Sequence, residues 1–250
     1  MGIYRIALVG IYLGAAAIFV TLHVLEAPYG RFARSGWGPT LRARWAWLLM
    51  ELPSAVSMFV MAGTGELADP VAVVFLAAWQ AHYLYRSLIY PFLLPAGSVK
   101  NMPLVLAGIA VVFNVANGFA NGYHFFHGPG AYGREWLADP RFIAGMLLFA
   151  GGAALHLASD RTLRRLRSSA DRSYRIPHGG AFRWVSCPNY LGEIIEWCGF
   201  ALAAWSPAAL GFALFTIANL LPRARSHHRW YRATFPDYPR RRRALIPGVL

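Results

Sequence analysis

The chain has 250 residues, of which 57% are hydrophobic and 14% charged, and its mean hydropathy is +0.39. So few charges cannot coat the long apolar runs they interrupt, which excludes a soluble all-α protein and leaves an all-α, polytopic membrane protein. A net charge of +13 in a soluble protein would suggest nucleic acid. Here the arginines cluster beside the apolar runs without any strand bearing RNP-like aromatics, so anionic lipid or a cytoplasmic anion is the expected partner and nucleic acid is not.

Seven spans are expected in a single domain covering residues 1–250. Ile3 to Val24 is the first, with an apolar core too long for a signal peptide. A Gly/Pro-rich loop with Arg31, Arg34, Arg42 and Arg44 leads to the second, about Trp45 to Gly63, where Glu51 is followed by Pro53. A proline inside a span frees a backbone carbonyl, so Glu51 lies where the helix can open toward a cavity. The third span, about Val71 to Leu94, places Tyr83, Arg86 and Tyr90 at i, i+3 and i+7. The fourth, about Met102 to Phe126, repeats that spacing with Asn114, Asn117 and Asn121, and Gly118 and Gly122 permit close approach of another backbone or a flat ligand. Helix packing accounts for these asparagines as well as ligand binding does.

Gly128 to Gly133 is a literal G-x-G-x-x-G, but that motif takes a pyrophosphate only between a strand and a helix, and a membrane helix precedes it here. The fifth span, about Phe142 to Ala158, continues as LHLASDRTLRRLR with His156, Asp160, Leu163 and Arg167 on one face. The sixth, about Pro188 to Trp205, turns at Ser206-Pro207 into a seventh, about Ala208 to Leu221, before a basic, aromatic tail. All but four of the 24 lysines and arginines then fall on one side of the membrane. This charge asymmetry predicts a cytoplasmic C-terminus and an external N-terminus.

The stretch from Ser173 to Trp197 joins the two themes, because a basic, Gly/Pro-broken loop runs into an apolar helix carrying two carboxylates. Asn189, Glu193 and Glu196 stand at i, i+4 and i+7 and make one polar stripe. Ionisable groups at bilayer depth cost about a few kcal/mol each and face a cavity or a partner. The bland alternative is a polar seam between helices. Arginines bind phosphate as a planar, permanently charged fork, and Arg167, Arg175, Arg223 and Arg229 surround His227 and His228 at the same end. A phosphorylated cofactor is the expected ligand. The adjacent His227 and His228 diverge on a helix, and Cys187 and Cys198 lack disulfide or zinc spacing, so no metal is expected and the cysteines read as packing residues.

From about Arg42 onward the chain resembles the steroid 5α-reductase family. RARWAWLLMELPS, AHYLYRSLIY, ASDRTLRRLR, SYRIPHGGAFRWVSCPNYLGEIIEW, HHRWY and DYPRRRRALIP recur there in this order and spacing. The resemblance implies NADPH-dependent reduction of the C4–C5 double bond of a 3-oxo-Δ4 steroid, or of a similar flat enone lipid, in a seven-span bundle without a Rossmann domain. It implies Glu51 and Tyr83 as the pair holding the substrate carbonyl, and Asn189 and Glu193 as contacts to the nicotinamide. Arg86, Asp160, Arg167, Tyr174, Arg175, Arg223, His227 and Tyr231 are implied in the rest of the cofactor pocket, within cytoplasmic segments 159–186 and 222–250 and the helices they join. Two positions depart from mammalian members: Met50 stands for glutamine beside Glu51, and His156, also assigned to the cofactor, stands for asparagine.

Hydride delivery to an enone leaves negative charge on the carbonyl oxygen, so a donor must be aimed there. Tyr83 supplies a phenol, and Glu51 in a dry setting is either a second, neutral donor or a fix for the tyrosine. These two are expected to be the ionisable pair on the early spans that faces the sixth-span stripe. An isoprenylcysteine-type membrane methyltransferase is the alternative enzyme, but its similarity covers the tail alone and gives MELPS and HYLYR no role. A sterol or lipid carrier would need no dense phosphate-binding set. The protein is read as a monomer in a bacterial inner membrane, or in the endoplasmic reticulum if the source is eukaryotic.

Overall fold

In a computed structural model, residues 2–65, 69–95, 100–128, 132–167 and 173–250 are described. Residues 129–131 of the Gly128 to Gly133 stretch, and 168–172 of the basic loop, lie outside them. The chain makes seven helical passes: α1 (Gly2–Val24), α2 (Ala43–Thr64), α3 (Pro70–Leu84) continued through a π turn (Tyr85–Ile89) into α4 (Tyr90–Leu93), α5 (Leu104–Phe126), α6 (Pro140–Arg165), α7 (Pro188–Ala204) and α8 (Pro207–Thr234). Five of these, α1, α2, α5, α6 and α8, are long and apolar enough on their own to cross a membrane. The third pass is divided by its π turn, and α7 has only 17 residues and carries the two carboxylates. Among the described residues, sheet structure is confined to the two-residue pair β1 (Thr40–Leu41) and β2 (Met102–Pro103) and one isolated bridge.

Local sequence explains where these helices begin. Proline occupies the first turn of α3, α6, α7 and α8, where its missing N–H costs nothing and its fixed φ suits the helix. Asp69, Asp139 and Ser206 precede three of them and accept from the backbone of Val71, Arg141 and Ala209. Two spans start or end elsewhere than their hydropathy suggests. Met102 pairs with Leu41 in the short ladder, so α5 begins at Leu104, while α8 passes through Pro222 and continues to Thr234, carrying the tail's first arginines and both histidines on one rigid rod.

Two interfaces set the site. Helices α6 and α7 meet backbone to backbone, because Gly145 and Gly152 face Gly199 and Gly192 across the contact. A Cβ on Gly192 would stand 2.5 Å from the His156 nitrogen, and one on Gly152 would stand 2.7 Å from the Glu196 Cα. Side chains flanking these glycines are therefore held at hydrogen-bonding range. Helices α2 and α5 meet likewise through Gly118 and Gly122, which sit against Ser54, Ser57 and Met61. Between the interfaces lies a dry aromatic core of Phe75, Trp79, Trp197, Phe200 and Phe212. The C-terminal segment closes on the start of α7, where Ser186 and Cys187 donate backbone N–H groups to the carbonyls of Arg243 and Ala244.

Candidate active site

The α7 stripe is one face, as its spacing predicts, and it is turned toward α6. Asn189 Nδ2 donates to Asp160 Oδ1 at 3.2 Å, Glu193 lies 4.0 Å from His156 Nε2, and Glu196 Oε2 lies 3.3 Å from His156 Nδ1. His156 Nε2 reaches Asp160 Oδ2 at 3.3 Å. From α3, His82 Nδ1 bonds the other Glu196 oxygen at 2.7 Å. His82, His156 and Glu196 thus come within 4.8 Å of one another and have the composition of a metal site. Their nitrogen-to-oxygen distances are those of hydrogen bonds that occupy both carboxylate oxygens.

Arg86 connects this cluster to α2. It sits between Glu51, at 3.6 Å, and Asp160, at 3.8 Å, beneath the faces of Trp47 and Tyr90. It stands in the π turn, where the Tyr90 N–H reaches back to the Tyr85 carbonyl. The 3.6-residue repeat assumed for Tyr83, Arg86 and Tyr90 therefore fails at Tyr85, although all three are buried. Tyr83 is 2% exposed, and its hydroxyl donates to Asn114 Oδ1 at 3.5 Å. Glu51 and Glu193 both lie close enough to act electrostatically on it. The expectation that Glu51 and Tyr83 alone face the stripe from the early spans needs correction, since His82 and Arg86 contact its α6–α7 cluster directly.

A second cluster forms at the basic end. Arg223 Nη2 donates to the Tyr190 hydroxyl at 3.1 Å, and that hydroxyl lies 3.2 Å from His227 Nε2. Tyr190 follows Asn189 and precedes Glu193 by one turn, so the start of α7 belongs to both clusters. Tyr231 is buried and Tyr174 half-exposed, and the two rings flank the guanidinium of Arg31 at 4.5 and 5.0 Å, with Trp230 at 4.4 Å. Arg167 lies two residues beyond the end of α6, near enough to act on Asp160, whereas Arg175 is exposed on the connection to α7. His228 turns away from His227 and bonds Ser186.

Arg31, Tyr29 and Phe32 escape a reading of the sequence for site residues. Phe32 stacks on His227 and Tyr29 lies under Arg223, so the loop after α1 completes the basic cluster. The available signal was the aromatic and basic run YGRF next to a span end. Both cysteines are free thiols. Burial pushes the Cys187 thiol up to about 12 against the opposing pull of Arg31 and Arg223, which suits a packing residue and not a nucleophile.

Comparisons with known proteins identify the family. The profile of the family described as 3-oxo-5-alpha-steroid 4-dehydrogenase matches residues 100–250. The 3-oxo-5-alpha-steroid 4-dehydrogenase 1 of Bos taurus is 41% identical over 237 residues, covering 93% of this chain and 91% of its own. The steroid 5-alpha-reductase DET2 of Arabidopsis thaliana is 39% identical over 98% of this chain and 96% of its own. The 3-oxo-5-alpha-steroid 4-dehydrogenase 2 of Rattus norvegicus is 44% identical over 89% and 88%. With this identity spread over nearly the whole chain on an all-helical membrane bundle, the protein belongs to the steroid 5α-reductase family.

Proposed function

We propose that the protein reduces the C4–C5 double bond of a 3-oxo-Δ4 steroid, or a similarly flat enone lipid, with NADPH. The observation that carries this reading is Arg86, which couples Glu51, beside the proposed carbonyl site, to Asp160 and through it to the α6–α7 stripe. Carbonyl-facing groups and nicotinamide-facing groups then belong to one connected polar set.

The residues at the basic end fit a phosphorylated dinucleotide. Arg31 Nη1 and His227 Nδ1 are buried and, among the described residues, have no hydrogen-bond partner. Buried polar groups left unmatched are costly, by about 1–3 kcal/mol each, and phosphate oxygens would satisfy the Arg31 N–H and, in the tautomer with its ring hydrogen on Nδ1, His227. In this reading Arg31, Arg223 and His227 hold the phosphates, with Arg167 and Arg175 on segment 159–186. Tyr174 and Tyr231 supply flat faces, and His156 and Asp160 fix Glu193 and Asn189 toward the nicotinamide end. The bound cofactor would supply the hydride.

The protein's own part is to hold the enone and receive its charge. Tyr83 donates to the ketone oxygen as negative charge builds there, in a water-poor site where an aimed donor is worth most. Glu51 has two available roles, neutral donor or charged partner that orients Arg86, and Glu51→Gln against Glu51→Leu separates them. The deciding experiment is spectral: purified protein in detergent should consume NADPH only when a 3-oxo-Δ4 steroid is added. Consumption without any enone, or none with the steroid or with another flat enone lipid, refutes the reading. The charge asymmetry supports a cytoplasmic cofactor end, and reporters fused after Leu250 and within 128–133 should report opposite sides.

A further inference from the structure

Around Tyr83 lies a neutral polar set that neither the cofactor nor the carbonyl reading uses. It comprises Ser54 on α2 and Asn114, Asn117 and Asn121 on α5, all buried and three of them fully so. Their hydrogen bonds fix each amide's orientation. Asn114 lies 2.6 Å from the Met50 carbonyl, which only accepts, so that atom is the nitrogen. The atom facing Tyr83 is then the oxygen, and the phenol must be the donor of that 3.5 Å bond.

The same logic runs one turn further. One amide atom of Asn121 faces the Asn117 backbone carbonyl at 3.1 Å and is therefore nitrogen, so the Asn117 atom it also reaches at 3.1 Å is oxygen. That leaves Asn117 Nδ2 as a donor. It is buried and has no partner among the described residues, and neither has Ser54 Oγ. Asn117 follows Asn114 by one turn on the same buried face of α5, and the Ser54 carbonyl accepts from the indole N–H of Trp79, whose ring packs on Tyr83 at 5.0 Å, so both residues flank the tyrosine. The tyrosine thus has two unspent donors beside it, while its own proton rests on a long, weak bond to Asn114.

The geometry points to Ser54, Asn114 and Asn117 as positioning residues that aim and strengthen the Tyr83 donor. Asn114, tied to the carbonyl that precedes Glu51, parks the phenol proton until a ketone oxygen replaces it. In this proposal Asn117 and Ser54, unspent at rest, turn their donors to the phenol oxygen as it engages the ketone, and a hydroxyl that accepts a hydrogen bond donates its own more strongly. This inference rests on Tyr83 being the donor to substrate, and the test separates the two.

The experiment binds a 3-oxo-Δ4 steroid carrying 13C at C3 to the detergent-purified full chain, and reads the infrared stretch of that carbonyl alongside turnover. Ser54→Ala removes one atom and Asn117→Ala one amide. Each should lose part of the carbonyl shift that wild type induces and slow turnover about fivefold, the size of one hydrogen bond. In a Tyr83→Phe background neither should change anything further, and Asn114→Asp, which keeps the acceptor, should retain more of the shift than Asn114→Leu. Equal losses in the wild-type and Tyr83→Phe backgrounds would reduce these residues to packing and overturn the inference. A Tyr83→Phe protein that keeps both the shift and its turnover would instead overturn the donor reading beneath it. Should Asn117→Ala fail to fold, Ser54→Ala with an unchanged carbonyl stretch refutes the proposal by itself.

Discussion

The seam between α6 and α7 and the seam between α2 and α5 start from the same devices, small residues at the contact and polar side chains one turn apart, yet they differ in chemistry. The first gathers Glu193, Glu196, Asp160 and His156, and each of these reaches another within 4.0 Å. The second gathers serine and asparagine, and leaves Ser54 Oγ, Asn117 Nδ2 and Asn121 Oδ1 unmatched among the described residues. Charged groups away from water must be closed on one another, whereas neutral groups bear a partial mismatch at a modest cost. The charged seam should therefore hold structure together and the neutral one should tune the tyrosine in front of it.

The largest effect expected from this contrast comes from Glu196→Leu. It strips the acceptor from two buried ring nitrogens, on His82 and His156, at about 1–3 kcal/mol each. Thermal unfolding in detergent should show a large loss of stability, and Asn117→Ala a much smaller one. Comparable losses would erase the distinction. Next comes Tyr83→Phe, which keeps the ring and removes the hydroxyl. Turnover should fall about 10²–10³-fold while NADPH affinity stays nearly unchanged, and activity within a few-fold of wild type would contradict the donor assignment. Glu51→Gln should be milder than Glu51→Leu if the carboxyl acts as a neutral donor, whereas equal collapse would mean that its charge is needed.

Smaller effects belong to the basic end. Arg31→Ala, Arg167→Ala and Arg223→Ala should each raise the Michaelis constant for NADPH far more than that for steroid. Unchanged cofactor affinity in all three would leave these arginines with a packing role only and remove the phosphate assignment. The smallest effect is chemical. The Cys187 thiol, pushed up to about 12, stays protonated and therefore unreactive at about pH 8, so a maleimide should label it only after denaturation. Rapid labelling of the folded protein would show the contact between the tail and α7 to be open.

Much of this architecture is legible in the sequence because spans and stripes are local and periodic. The alignment of Asn189, Glu193 and Glu196 follows from the helical repeat alone, and Ser206-Pro207 announces a hairpin. The groups that escape such a reading are those whose role depends on distant partners. His82 sits in an apolar run with nothing local to mark it until α7 brings Glu196 to it. Arg31 belongs to a loop whose aromatic partners lie about 200 residues away in the tail. Gly145 and Gly152, matched by Gly192 and Gly199, offered a signal in their common seven-residue spacing, since only small residues let two backbones touch. No local rule announces the π turn.

That turn has an evolutionary consequence. A π turn holds one residue more than the α-helix it interrupts, and removing that residue restores ordinary helix. Deleting one residue between Tyr85 and Ile89 should therefore yield a third pass with better backbone bonding. The turns on either side would stay in phase, but Arg86 would lose the bulged position from which it meets Glu51 and Asp160. Homologous chains that keep the chemistry should tolerate substitutions here far better than a change in length.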